Sequence, residues 1–394
     1  MQHKVRQLAA DFFEDTVAIR RHLHQHPELS FQEKETASFI SAQLTAYGIA
    51  HETEVSGYGI VALIEGNLPA SKCIAIRADM DALPINENSD KPYCSMNNVV
   101  MHACGHDAHT AILLVGARIL NHLKSSFQGT IKLIFQPAEE KLPGGALGMI
   151  EAGVLKNPDV DAILGLHVLP TLDAGTIGFR SGPFMASGDE INIKIKGKGG
   201  HAAMPDQCND TVLIASQTVV NLQQIVSRHA PPLIPTVLSF GRLIANGAHN
   251  IIPSEVLIQG TFRTFDESWR KEAKEHIRRI ASLTAEAGGA KAEIQIMDGY
   301  PVLLNNEKIT TKAFESAQSY LTPEKVMMLD QRMTTEDFAW YTHIVPACFF
   351  RLGTGNAAND FKPGLHTDTF DIDEKSLQTG TGSLAWIALQ LLKP

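Results

Sequence analysis

The chain lacks the features that would send it to a membrane, a nucleic acid or an oxidising compartment. No apolar run approaches the length of a transmembrane helix. The first residues, Met1 to Ala10, are polar and contain no apolar signal core. No long basic run is present. With 34 Lys and Arg against 43 Asp and Glu, the formal charge is −9 and the pI near 6, so there is no footprint for tracking phosphates. Cysteine is scarce. Cys73, Cys94, Cys104, Cys208 and Cys348 form an odd, irregular set that reads as reduced thiols of a cytoplasmic protein, not a disulfide framework. Internal repeats and low-complexity tracts are also missing. What remains is a globular composition, 44% hydrophobic and 20% charged. It is spread over 394 residues, more than one ordinary core holds and enough for two domains.

Hydrophobic spacing gives the organisation. Residues 4–24 and 33–47 repeat at helical period, the second run stopping at Gly48, a natural residue just past a helix end. Short strands are expected at 59–64, 73–76, 131–135 and 162–166, with helices at 108–123 and 146–152 between them. This alternation predicts an α/β sheet flanked by helices. The texture changes near residue 185. Residues 190–196 read Glu-Ile-Asn-Ile-Lys-Ile-Lys, a half-exposed strand with isoleucines on one face. Helix 211–227, strands 236–244 and 255–264, a charged helix over 267–288 and strand 292–297 follow. That order predicts a compact α+β unit inserted into a split first domain. The expected domains are 1–184 with 299–394, and 185–298.

The chemistry concentrates in His102-Ala103-Cys104-Gly105-His106-Asp107-Ala108-His109. Imidazole and thiolate suit zinc, nickel, cobalt or manganese better than calcium or magnesium, although a thiolate among histidines is also a plausible nucleophile. Gly105 permits a tight turn that lets Cys104 and His106 converge. The amides of the following helix N-terminus favour the thiolate. Three further segments bring donors: Glu139-Glu140 after an apolar strand, His167 at the end of strand 162–166, and His366 in Leu365-His366-Thr367. Adjacent glutamates on a loop can face different ways, one binding a metal and the other holding a water, as metal-assisted hydrolysis requires. Asp81, in Asp79-Met80-Asp81, is placed to orient a histidine through its second nitrogen. In the inserted unit His201 follows Gly199-Gly200. Arg263 ends a strand where it could clamp a carboxylate, and Asn250 could donate to the same group.

In order along the chain, these residues lie within RRHLHQHPE at 20–28, RADMDALPI at 77–85, HACGHDAHT at 102–110, QPAEE at 136–140 and GLH at 165–167. They continue in GKGGHAAMP at 197–205, HNIIP at 249–253, GTFRTF at 260–265, TEDFAWY at 335–341 and LHTDTFDIDE at 365–374. By their number and order the chain resembles the M20 metallopeptidases, in the branch of aminoacylases, hippurate hydrolases and plant auxin-conjugate amidohydrolases. The resemblance implies a split catalytic domain with a mixed sheet, and an inserted α+β lid or dimerisation domain. It implies two divalent ions per subunit (zinc, manganese, nickel or cobalt), held by Cys104, His106, Glu140, His167 and His366, with Cys104 shared. Glu139 would be the general base. His201 would reach the substrate carbonyl, in dimeric relatives from the partner subunit, and Asn250 and Arg263 would touch substrate. The expected reaction is hydrolysis of the amide of an N-acyl amino acid by a homodimer. Asp206, Thr211, Ala108 and Asp368 depart from common family residues, and none of them is a donor. Three alternatives stand beside this reading: a dipeptidase of the same family, a cysteine amidase using Cys104, and a metal-binding scaffold without turnover. The last has no use for a spare Glu139.

Overall fold

The computed structural model describes residues 1–359 and 361–393. The chain divides into two compact units. The first comprises Met1–Gly182, Leu304–Asp330 and Asp337–Pro394; the second comprises Pro183–Leu303 and Gln331–Glu336.

The first unit is built on a mixed eight-stranded sheet. Its named strands are β1 (His51–Val55), β2 (Gly59–Glu65), β3 (Leu68–Asp79), β4 (Gln128–Gln136), β5 (Ala162–Asp173) and β6 (Ile177–Phe179). The spatial order is β1, β2, β4, β3, β5, then Ala347–Gly355, β6 and Val326–Met328. The centre, from β4 through β3 and β5 to Ala347–Gly355, is parallel. β2 runs antiparallel to β4, and β1 antiparallel to β2. The central strands are apolar almost throughout because helices cover them. Ile74, Ile76, Ile131, Leu133 and Leu164 are all buried. The covering helices include α1 (Gln2–Asp11), α2 (Phe13–Gln25), α3 (Lys34–Ala46), α4 (His106–His122) and the C-terminal Lys375–Leu392, which packs on α4.

Several elements differ from the sequence expectation; β3, expected over 73–76, runs from Leu68 to Asp79. The single helical run over 4–24 is two helices, broken at Phe12 (φ −98°, ψ 10°). Glu14 and Asp15 occupy the first turn of α2, where acidic residues suit a new N-terminus. The Phe12 ring lies under the Arg118 guanidinium, 3.8 Å from its centroid. The strand expected to end at His167 runs on to Asp173, because Val168 and Leu169 continue the ladder opposite Leu352 and Gly353. His167 therefore sits inside a strand, and its side chain is fixed by the sheet.

The second unit has a four-stranded antiparallel sheet in the order Thr236–Ile244, Glu255–Thr264, Ser187–Lys196, Lys291–Asp298. Ile191, Ile193 and Ile195 share one buried face with Ala273, Ile277 and Ala281 of helix Glu267–Ala287 and Ile214 of helix Thr211–Leu222. The helix expected over 211–227 stops at Leu222, and a π-type turn spans Ile225–His229. Among the described residues, no helix is long and apolar enough to cross a membrane.

The donor-rich loop is anchored from α2. The buried Arg20 guanidinium bonds Asp107 and Asp371, each at 2.7 Å, and His24 Nδ1 meets Asp107 at 2.7 Å. Removing the cation leaves the fully buried Asp107 with His24 alone, while Asp371 keeps Lys91 and Tyr93. Arg20→Met is therefore expected to cost roughly 3–5 kcal/mol, read as a lower urea midpoint for the metal-free chain. A midpoint equal to that of the native chain would show that Asp107 needs no countercharge.

Candidate metal centre

β3 and β4 end side by side, with Asp79 opposite Gln136. The site forms beyond these carboxyl ends, where the parallel strands of an α/β sheet leave a crevice. Gly105 takes φ +84° at the N-terminus of α4. A Cβ there would meet Val168 Cγ2 at 2.6 Å, so only glycine fits both the left-handed backbone and the close approach. This turn directs Cys104 and His106 inward, and both are buried. From β4, Pro137 and Ala138 lead into Glu139 and Glu140. His366 arrives on a loop whose backbone N–H bonds the carbonyl of Ala103 at 2.8 Å, which pins it beside Cys104.

The expected donors of the first unit converge. Cys104 Sγ lies 3.4 Å from His167 Nε2 and 3.3 Å from His366 Nε2. Glu140 Oε1 is 3.2 Å from His366 Nε2 and 3.9 Å from His106 Nε2. Two triads could each hold an ion: Cys104, His106 and His167, and Cys104, Glu140 and His366. Cys104 belongs to both. Glu139 is buried, and its Oε1 accepts the backbone N–H of Asp337 at 3.4 Å. Asp81 Oδ1 lies 3.2 Å from His106 Nδ1, while its Oδ2 accepts from Ser30 Oγ at 2.6 Å and Glu140 N at 3.0 Å.

Hydrogen bonds sort the histidines by tautomer. His109 Nε2 accepts the N–H of Val168 at 2.9 Å, so its proton is on Nδ1, facing Asp79 Oδ1 at 2.6 Å. Both its nitrogens are used within the protein. His167 donates from Nδ1 to the carbonyl of Val168 at 2.8 Å, which turns the Nε2 lone pair toward Cys104. The buried Nε2 of His106 has no hydrogen-bond partner. An open imidazole nitrogen, a second with its lone pair aimed at a thiol, and a carboxylate within 4 Å fit a divalent cation of the borderline class.

Electrostatics agree with that fit and correct one expectation. Helix amides were expected to favour the Cys104 thiolate. Instead burial, followed by Glu140, Glu139 and Asp79, holds the thiol well above its ordinary range. Burial and three nearby carboxylates oppose the anion, so the thiolate needs a cation beside it. Burial opposes charge on His106, but Asp79, Asp81 and Glu140 prevail and push it up to about 10. A proton there holds the place of a positive charge that a metal ion would supply.

A deeper layer joins residues of the RADMDALPI and TEDFAWY stretches. Arg77 Nη1 bonds Asp79 at 2.6 Å, and its Nη2 bonds Asp337 at 2.6 Å. Gln136 Nε2 and the N–H of Ala146 also donate to Asp337. Arg77 and Asp79 alternate on one strand and so share a face, but Asp337 is distant in sequence. His201, Asn250 and Arg263 lie in the second unit. His201 is exposed on a two-residue strand opposite Ile251, and its Nδ1 accepts the N–H of Ala203 at 3.1 Å. The Asn250 carbonyl accepts from Ala202, and Arg263 Nη1 donates to the carbonyl of Met333 at 2.8 Å.

A divided sheet domain and a cysteine-centred donor cluster define a metallohydrolase class. Residues 75–390 match the model of peptidase family M20/M25/M40, and the chain belongs to that family. It is 45% identical over 307 residues to an N-acyl-L-amino acid amidohydrolase of Geobacillus stearothermophilus, covering 78% of this chain and 82% of the relative. It is 40% identical over 363 residues to an N-acetyl-L-cysteine deacetylase of Bacillus subtilis, covering 92% and 84%. A solved dinuclear metal binding M20 peptidase of B. subtilis superposes with a TM-score of 0.84 at 36% identity, covering 98% of this chain and 99% of that one. The chain is accordingly a hydrolase.

His102 generates a pH prediction. Both its ring nitrogens are buried without partners, and burial pushes it down to about 4. A histidine depressed in the folded state stabilises fully above its unfolded value near 6.5, and that contribution is lost as pH falls toward 4. The metal-free chain should lose about 3 kcal/mol from this group over that window. Urea unfolding across pH 4–7 measures it, and His102→Gln should flatten the slope; an unchanged slope would exclude His102 as its source.

Proposed function

We propose that the chain hydrolyses the amide bond of N-acyl amino acids as a homodimer with two divalent ions per subunit. The observation that carries this reading is that two adjacent carboxylates enter one cluster with different second partners. Glu140 faces His366 and His106, whereas Glu139, with an oxygen within 4.8 Å of Glu140 and His106, also accepts the Asp337 amide. In this reading Cys104, His106 and His167 hold one ion, and Cys104, Glu140 and His366 hold the other. Such ions acidify a water and polarise the acyl carbonyl. Asp81 fixes His106 through Nδ1. Glu139 takes a proton from the attacking water and returns it to the leaving nitrogen as the C–N bond breaks, giving a carboxylate and a free amine. His201 carries its proton on Nε2 because Nδ1 accepts from Ala203. It donates to the developing oxyanion from the partner subunit. Asn250 and Arg263 orient the substrate carboxylate.

Dimerisation through the second unit is supported by exposed Val212, Leu213 and Val220 on helix Thr211–Leu222, and by the sheet edge at Thr236–Ile244. A cysteine nucleophile is disfavoured, since burial and three carboxylates oppose the Cys104 thiolate. A dipeptidase would use the same donors. A panel of N-acetyl, N-benzoyl and indole-acetyl amino acids beside dipeptides, after reconstitution with each metal, distinguishes the two.

Chelation should abolish hydrolysis and added divalent metal restore it. Glu139→Gln should keep its metal and lower kcat by about 10²–10⁴-fold, and Glu140→Gln should lose metal by elemental analysis. Near-native rates in both variants with metal retained would move the site elsewhere. His201→Ala should keep its metal and lower kcat more than it raises KM. Mixed dimers of His201→Ala and Glu139→Gln chains should regain part of the activity. If mixed dimers form and stay inactive, His201 does not act across the interface.

A further inference from the structure

The turn bearing Glu139 and Glu140 is gripped by two carboxylates from elsewhere in the first unit. Asp81 Oδ2 accepts the N–H of Glu140 at 3.0 Å. Glu33 Oε1 accepts the N–H of Ala138 at 2.8 Å and that of Phe31 at 3.0 Å. Ala138 sits between these grips in the left-handed region, at φ +56°. A side chain there costs of order 1–2 kcal/mol, so the turn persists only where surrounding bonds impose it. The carbonyl of Ala138 is held as well, by the N–H of Gly145 at 2.9 Å.

Glu33 stands where it would ordinarily serve a helix. It is the residue before α3, yet its side chain makes no capping bond. Glu28 does that work, accepting the N–H of Glu35 at 3.1 Å and of Thr36 at 2.8 Å. Glu33 is free to turn into the core, where it is completely buried and its Oε2 has no hydrogen-bond partner. Burying a carboxyl is costly, and α3 gains nothing from it. What Glu33 does reach is the turn between Pro137 and Glu139.

We propose that Glu33 is a positioning residue for the Glu139–Glu140 pair. Its Oε1, acting through the Ala138 amide, locks the left-handed turn that presents both carboxylates to the same cluster. The inference rests on the reading of Glu139 as base and Glu140 as metal donor. The task requires an acceptor at that reach; it does not require a charge. Burial, then the nearby Asp81 carboxylate, push the Glu33 carboxyl up to about 7, so its surroundings place no premium on the anion. A neutral amide carbonyl at the same distance would serve, whereas a charged carboxylate one methylene shorter would not.

Glu33→Gln and Glu33→Asp separate reach from charge. Two quantities are measured: amide hydrogen exchange of the 136–145 segment in the metal-free chain, and kcat and KM after reconstitution. Glu33→Gln is expected to stay within about threefold of native in exchange at Ala138 and in kcat. Glu33→Asp is expected to exchange about tenfold or more faster at Ala138 and to lose about tenfold in kcat, the scale of one lost buried hydrogen bond, with KM little changed. Native-like exchange and kcat in Glu33→Asp overturn the proposal, as does a Glu33→Gln variant impaired as much as Glu33→Asp. If the aspartate variant does not fold, fast exchange at Ala138 in folded Glu33→Gln overturns it equally. Glu139→Gln is assayed alongside. If that variant is fully active, the functional reading fails while the exchange data still judge the clamp. If it is inactive and both Glu33 variants behave as native, only the clamp fails.

Discussion

Negative charge gathered where water is scarce is the constraint on which the first unit depends. Asp79, Asp81 and Glu139 are buried and Glu140 nearly so, all around a buried thiol. The outer part of this charge is answered from within the chain. Arg77 meets Asp79 and Asp337, and Arg20 meets Asp107 and Asp371. The inner part is answered differently. Around Cys104 the carboxylates act together to keep the thiol protonated, and around His106 they keep the imidazole charged. Both effects reverse once a divalent cation stands among them, because it stabilises thiolate and neutral imidazole together. The outer ion pairs set geometry, and the inner deficit of positive charge sets what the geometry can bind.

Some of the positive-φ backbone lies at the site. Gly105, Ala138 and His366 adopt positive φ beside Cys104, beside Glu139 and at a donor, while others such as Glu54 and Asn157 lie elsewhere. A regular strand or helix could not deliver side chains from three segments to one point. The left-handed residues supply the sharp redirections, and the neighbouring bonds hold them: Glu33 at Ala138, and the carbonyl of Ala103 at His366. Such strain is tolerated where the surroundings over-determine it.

Much of this was legible in the residues. The strand over 190–196 falls within Ser187–Lys196, where alternation places it, because a half-buried antiparallel strand writes its two faces into the sequence. β5 was read too short, because a central parallel strand is apolar on both faces and periodicity cannot say where it stops. Donor types on separate segments pointed to a shared site, and the family resemblance implied Cys104, His106, Glu140, His167 and His366 as its members. The Arg77–Asp337 contact could not be anticipated, since nothing local links residues so far apart. The upward shift of the Cys104 thiol was missed for a related reason. A helix terminus is visible in sequence, whereas burial and three carboxylates folding back on the same thiol are visible only in space.

The histidines show where composition gives out and geometry takes over. His102, His106 and His109 share one octapeptide and are equally buried, so residue type and burial alone would make each a candidate ligand. Their second partners decide. His109 spends one nitrogen on the Val168 amide and the other on Asp79, which makes it a brace between β3 and β5. His102 has no partner at either nitrogen and is held neutral by burial. Only His106 has one nitrogen tied to a carboxylate and the other open toward Glu140. A metal-binding imidazole needs that combination, a fixed tautomer with its lone pair facing other donors. It depends on Asp81, which also holds the Glu140 amide. One buried carboxylate thus couples the orientation of an imidazole to that of a carboxylate arriving from another strand, and the donor set is assembled as a unit.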